Sequence, residues 1–146
     1  MPKKINRAFI QKIAQARLGY EDLRPGQEAA IAAVLQHQDT LAVMPTGAGK
    51  SAIYQLAAAQ LPGSTVVISP LLALQQDQLE SIEDDEVNVG LAAVVNSTIS
   101  SRDRAEVFEQ WRQGKLEFLF LAPEQFNNAE TIELFQAANP SLFVVD

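Results

Sequence analysis

The chain has 146 residues, 47% of them apolar and 20% charged, which suits one domain with a core of its own. It contains no cysteine, which excludes disulfides, thiolate metal sites and a cysteine nucleophile. The net charge of −7 argues against a protein that binds nucleic acid over its whole surface.

No apolar run approaches the length of a membrane span, and Met1–Arg7 lacks the apolar core of a secretory signal. A soluble cytoplasmic protein with no membrane partner is therefore expected. Charge is unevenly spread. Lys3, Lys4, Arg7, Lys12, Arg17 and Arg24 lie near the start, and acid gathers at Glu83-Asp84-Asp85-Glu86. Both clusters read first as solvated helix faces or ends.

In chain order, Ile5, Phe9, Ile13, Ala16 and Leu18 recur near helical spacing, so residues 4–18 read as an amphipathic helix stopped at Gly19. This helix forms an N-terminal segment, 1–18, ahead of a main domain, 19–146. Pro25 suits the first turn of a second helix with Ala30, Ile31, Val34 and Leu35 on one face. His37 falls near its end and reads as a surface residue. Leu41–Met44 is a short strand, and about 50–61 a helix stopped at Pro62-Gly63. Thr65–Ser69 is a second strand, β-branched and apolar on both faces, as in a buried parallel sheet. A helix follows over 71–84, then a strand at Leu91–Val95 and a helix over 101–113. There Val107, Phe108 and Trp111 face inward, so Trp111 reads as core and not as a base-stacking platform. Glu117–Leu121 is the fourth strand, 128–138 a helix, and Leu142–Val145 the fifth strand, ending in Asp146. Repeated strand–helix units imply an α/β fold with a parallel sheet flanked by helices. Ligands then bind at the C-terminal ends of its strands.

The most informative stretch is Met44-Pro45-Thr46-Gly47-Ala48-Gly49-Lys50-Ser51. It lies between an apolar run and a helical pattern, the context a phosphate-binding loop needs. Gly47 and Gly49 allow backbone angles that turn several N–H groups toward one anion, and the helix opening at Lys50 adds its positive end. Lys50 would reach the β- and γ-phosphates of ATP, and the Ser51 hydroxyl would ligate Mg²⁺. The general pattern has glycine where this chain has Met44; the form here is the one found in helicases and translocases.

Three more stretches fall at strand ends, on the rim expected to hold the loop: Ser69-Pro70 running on to Gln78, Asn96-Ser97-Thr98, and Ala122-Pro123-Glu124-Gln125. Taken singly each reads as a cap or turn; together they suit the backbone phosphates of a strand crossing the rim. Asp146 ends an apolar strand, where P-loop enzymes carry the Asp that holds Mg²⁺.

Together these motifs resemble the first RecA-like domain of a RecQ-type DNA helicase, in helicase superfamily two, from about Tyr20 to Asp146. Leu23-Arg24-Pro25-Gly26-Gln27 resembles that family's motif 0, Met44–Ser51 motif I, and Val67–Gln78 motif Ia. Asn96-Ser97-Thr98 and Leu121–Glu124 match the next two signatures, and Asp146 falls where the Asp-Glu-Ala-His box begins. The resemblance implies that Gln27 reads the adenine edge, that Tyr20 stacks on the base, and that Arg24 packs beside it. It also implies that motif Ia and Asn96-Ser97-Thr98 face single-stranded or forked DNA, tracked 3′ to 5′. Gln125 stands where the family usually carries Arg, and Leu23 where it carries Phe. Two other readings are a superfamily-two RNA helicase, against which Arg24–Gln27 speaks, and a nucleotide-binding module without turnover. The resemblance further implies that the P-loop strand and the Asp-bearing strand flank a strand from later sequence. A chain ending at Asp146 would then be inactive and poorly stable alone.

Overall fold

The computed structural model describes residues 7–45, 47, 49–70 and 92–146. The expected helix over 71–84 lies outside these residues, as do Thr46, Ala48 and Gln78. The chain divides into two compact units, Met1–Leu61 and Pro62–Asp146.

Among its described residues the first unit holds three helices: α1 (Arg7–Leu18), α2 (Gln27–Leu35) and α3 (Lys50–Ala58). The buried face of α1 is Ile10 and Ala14, one turn apart. This corrects the expected line of Phe9, Ile13 and Ala16: Phe9 is 39% exposed and Ala16 lies outside the core. Ala14 has no bulk beyond its methyl group, so α1 can pack closely on α2 and α3 there. Pro25 sits in the turn before α2 and not within it, where the Gln27 amide bonds the Arg24 carbonyl at 3.1 Å and Gly26 is the N-cap. On α2, Gln27, Ala30 and Ile31 are buried, with Val34 and Leu35 half-buried beside them. On α3 six successive residues, Ala52–Ala57, are buried, so the helix is enclosed nearly all round.

The strand expected at Leu41–Met44 is absent. These residues form no ladder, and Leu41 and Val43 are 89% and 87% exposed. Extended backbone becomes a strand only when its N–H and C=O groups find a neighbour. Apolar, β-branched composition marked the segment but could not supply one.

The second unit contains the other four expected strands: β1 (Thr65–Ile68), β2 (Ala92–Val95), β3 (Phe118–Leu121) and β4 (Leu142–Val145). They form a wholly parallel sheet in the order β2-β3-β1-β4. Helix α4 (Ser101–Arg112) connects β2 to β3, and α5 (Ala129–Ala138), after a 3₁₀ turn at Pro123–Asn127, connects β3 to β4. Ser100 caps α4, its hydroxyl accepting the Asp103 amide at 3.1 Å and donating to the Asp103 carboxylate at 2.7 Å. Asn128 caps α5 through the Glu130 amide at 3.0 Å.

One face of the sheet, with Val66, Ile68, Val95, Leu119 and Leu121, packs with Phe108 and Trp111 of α4 and Leu134 and Phe135 of α5. Trp111 is core, as its spacing predicted, and its indole N–H reaches Ser64 Oγ at 2.9 Å. The opposite face is buried too, at Val67, Phe118 and Phe120. A parallel sheet flanked by helices is the α/β architecture expected from the strand–helix alternation.

Candidate nucleotide loop and strand rim

The nucleotide-loop residues lie within the first unit. Gly47 and Gly49 both have left-handed backbones, φ 78° and 80°, and Gly49 is the N-cap of α3. The left-handed φ calls for glycine at Gly49, and a Cβ there, 2.5 Å from Gln27 Nε2, would displace that carboxamide. Lys50 opens α3 on the exposed surface, and Ser51 follows it in the first turn. No side chain caps this helix, and its first turn carries no acid. Its leading N–H groups and macrodipole thus favour an anion, and Lys50 has no ion pair among the described residues.

The loop is held from α2 and the turn before it. Gln27 is 2% exposed. Its Oε1 accepts the Arg24 amide at 2.7 Å and its Nε2 donates to the Gly49 carbonyl at 2.8 Å. Arg24 also donates from Nη1 to the Gly47 carbonyl. Two of the three residues expected at the base are therefore tied to the backbone of this glycine-bearing loop. The third, Tyr20, is 40% exposed. Met44 and Pro45 lead into the loop, Met44 half-buried and Pro45 exposed. These residues fit a nucleoside triphosphate. Among the described residues no group of three acidic, His or Cys side chains could cage a cation. The donor set suits Mg²⁺ held by Ser51, phosphates and water.

The second unit supplies the rim. Ile68 is level with Leu121 and Val145, and Leu121 with Val95. Asn96, Ala122, Ser69 and Asp146, in the order of their strands, therefore line the C-terminal edge of the sheet. Backbone bonds continue the ladder there: Ser69 to Leu121 at 3.1 Å, Ala122 to Val95 at 3.1 Å, and Asp146 to Ile68 at 2.9 Å. Asp146 is exposed at the end of β4. Ser69 is buried at 1% exposure, whereas Pro70, Ser97 and Thr98 are exposed. Asn96 Oδ1 accepts both the Thr98 amide at 2.9 Å and the Thr98 hydroxyl at 2.6 Å, closing a local turn.

Sequence reasoning missed Arg104. Its Nε donates to Gln125 Oε1 at 3.1 Å and its Nη2 to Thr131 Oγ1 at 2.6 Å, with Glu130 at 3.8 Å and the Phe108 ring at 4.5 Å. A guanidinium thus stands beside Gln125. The two residues are far apart in sequence, and only the packing of α4 against the 3₁₀ turn joins them.

With loop and rim in place, comparison with known proteins defines the class. The family model for the DEAD/DEAH box helicase matches residues 24–146, and the chain belongs to that family. Within it the chain is similar to RecQ-type helicases. It is 36% identical over 137 residues to ATP-dependent DNA helicase RecQ of Bacillus subtilis, covering 93% of this chain and 23% of that protein. It is 35% identical over 138 residues to ATP-dependent DNA helicase Q-like 5 of Arabidopsis thaliana, covering 94% and 15%. It is 31% identical over 146 residues to the RecQ protein of Haemophilus influenzae, covering 100% and 23%. The chain thus spans less than a quarter of the length of each of these three relatives.

Proposed function

We propose that this chain is the ATP-binding lobe of a RecQ-type helicase that couples ATP hydrolysis to 3′-to-5′ movement on single-stranded or forked DNA in the cytoplasm. The observation that carries the reading is the left-handed Gly47 and Gly49 leading into α3 at Lys50, with Gln27 and Arg24 bonded to the same loop. The loop and the first turn of α3 present N–H groups to the triphosphate, and Lys50 places a cation by the β- and γ-phosphates. Bound Mg²⁺ neutralises charge on the phosphate oxygens. Ser51 and Asp146 are the residues assigned to hold it. Tyr20 stacks on the base, Arg24 packs beside it, and Gln27 reads the adenine edge. Pro70, Asn96, Ser97 and Thr98, with Ser69 and Gln78 in the same motifs, are assigned to the DNA backbone.

Lys50→Ala in the full-length protein tests the phosphate half. DNA-stimulated ATP hydrolysis should fall by about 100- to 1,000-fold, the cost of removing one positioned charge from a transition state. Wild-type turnover would refute the assignment. Gln27→Ala tests the base half: ATP should lose its advantage over GTP in competition assays, because a site built to pair polar edges rejects a mismatched base.

A further inference from the structure

Helix α1 lies outside every motif discussed above, and the matched family region begins after it, at residue 24. It is nevertheless bonded to the turn that leads to the nucleotide loop. Gln11, half-buried on α1, donates from Nε2 to the Glu21 carbonyl and to Asp22 Oδ1, the latter at 2.7 Å. The Tyr20 amide bonds the Ala14 carbonyl and the Gly19 amide the Gln15 carbonyl, each at 3.2 Å. Arg7 pairs with Glu28 on α2 at 3.3 Å. Ile10 and Ala14 anchor α1 in the core beneath these bonds. Arg24, just beyond Asp22, and Gln27, at the start of α2, donate to the carbonyls of Gly47 and Gly49. Hydrogen bonds thus tie α1 to the middle of this turn, and the turn itself carries the Arg24 that bonds the loop.

We infer that Gln11 is a positioning residue for the base-binding turn, so that α1 is a working part of the nucleotide site. This rests on the reading of Tyr20 as the base-stacking residue. The turn from Gly19 to Gly26 has no regular secondary structure of its own. Gln11 crosslinks its middle through one donor group shared between a carbonyl and a carboxylate. The role needs a donor and not merely a side chain of that size. Glutamate at this position has the same shape, but it cannot donate and sets a second carboxylate against Asp22. Lysine restores a donor and pairs with Asp22.

The test measures steady-state ATP hydrolysis by the full-length protein with saturating DNA. Gln11→Ala should raise the KM for ATP about three- to tenfold, the net worth of one or two hydrogen bonds, with kcat unchanged. Gln11→Glu should do worse than alanine, and Gln11→Lys should recover most of the loss. Inhibition by inorganic tripolyphosphate, which probes the phosphate loop without a base, should be the same in all variants. Near-wild-type KM in Gln11→Glu would overturn the inference, because a packing role alone tolerates that isosteric change. Equal weakening of ATP and tripolyphosphate would overturn it as well, by moving the effect from base to loop. Tyr20→Ala separates the two claims. If it raises the KM while Gln11→Ala does not, only the role of Gln11 fails. If it leaves the KM unchanged, the base-site reading fails and the inference falls with it.

Discussion

The two units of the chain hold their shape by different means. Pro62–Asp146 is built on a backbone ladder: four parallel strands in register, with phenylalanine, valine and leucine filling both faces. Met1–Leu61 has no strand among its described residues, and its central feature is a loop. That loop takes its form from two left-handed glycines and from side-chain bonds sent by Arg24 and Gln27 into backbone carbonyls. A ladder made by the main chain is indifferent to side-chain chemistry but sensitive to lost volume. A loop pinned by a few polar atoms is the reverse: one added methyl group can undo it, and little core volume is at stake. The functional chemistry assigned to the first unit depends on that second kind of order.

This contrast can be broken or sharpened experimentally, because Trp111 is the sole tryptophan and lies in the core of the sheet unit. Its fluorescence reports on that unit. Phe120 is fully buried in β3, the neighbour of both β1 and β2. Phe120→Ala should cost about 3–5 kcal/mol, a large share of the about 5–15 kcal/mol that holds a domain. The Trp111 transition in urea should shift accordingly. An unshifted midpoint would mean that the ladder alone carries the unit.

Gly49→Ala is the converse. The added Cβ meets the Gln27 amide and must adopt an unfavourable φ. Strain of about 1–3 kcal/mol should appear as a loss of ATP affinity of about five- to 150-fold. The Trp111 unfolding midpoint should stay in place. If the midpoint fell as far as in Phe120→Ala, the two units would not be energetically distinct.

The smallest effect concerns the surface of α4. Glu109 accepts from Arg112 at 2.6 Å and from Gln113 at 2.7 Å, and the Arg112 bond first, then that of Gln113, holds its carboxyl below the ordinary value. A lowered carboxyl pKa stabilises the folded state above the unfolded value, and this stabilisation is lost as pH falls through the folded value. Arg112→Ala should therefore move the Glu109 titration up toward the ordinary carboxylate range, as followed by NMR. It should leave stability at neutral pH nearly unchanged, since an exposed pair contributes little.

Much of the molecule was legible in the residues themselves. The strands at 65–68, 92–95, 118–121 and 142–145 stood out as short apolar runs, and α4 as a helix with Val107, Phe108 and Trp111 inward. These features are local, because periodicity and apolarity belong to each segment. The glycines of the loop were legible for the same reason: residue type limits φ directly. The face of α1 was not. Phe9–Ile13 and Ile10–Ala14 are both plausible stripes, and only the neighbouring helices choose between them.

What the sequence by itself determined is therefore a family, the four strands of the sheet and a glycine-bearing loop that opens a helix. Each is written in residue types at fixed spacing. Tertiary structure alone decided that Leu41–Met44 is not a strand, since a ladder needs a partner that composition cannot name. It alone turned Gln27 onto the Gly49 carbonyl, buried Ser69 at the rim, and set Arg104 beside Gln125 and Gln11 beside Asp22. Hydrogen bonds between residues 11 to 22 positions apart leave no periodic trace along a chain, because their geometry exists only once the elements between them have packed.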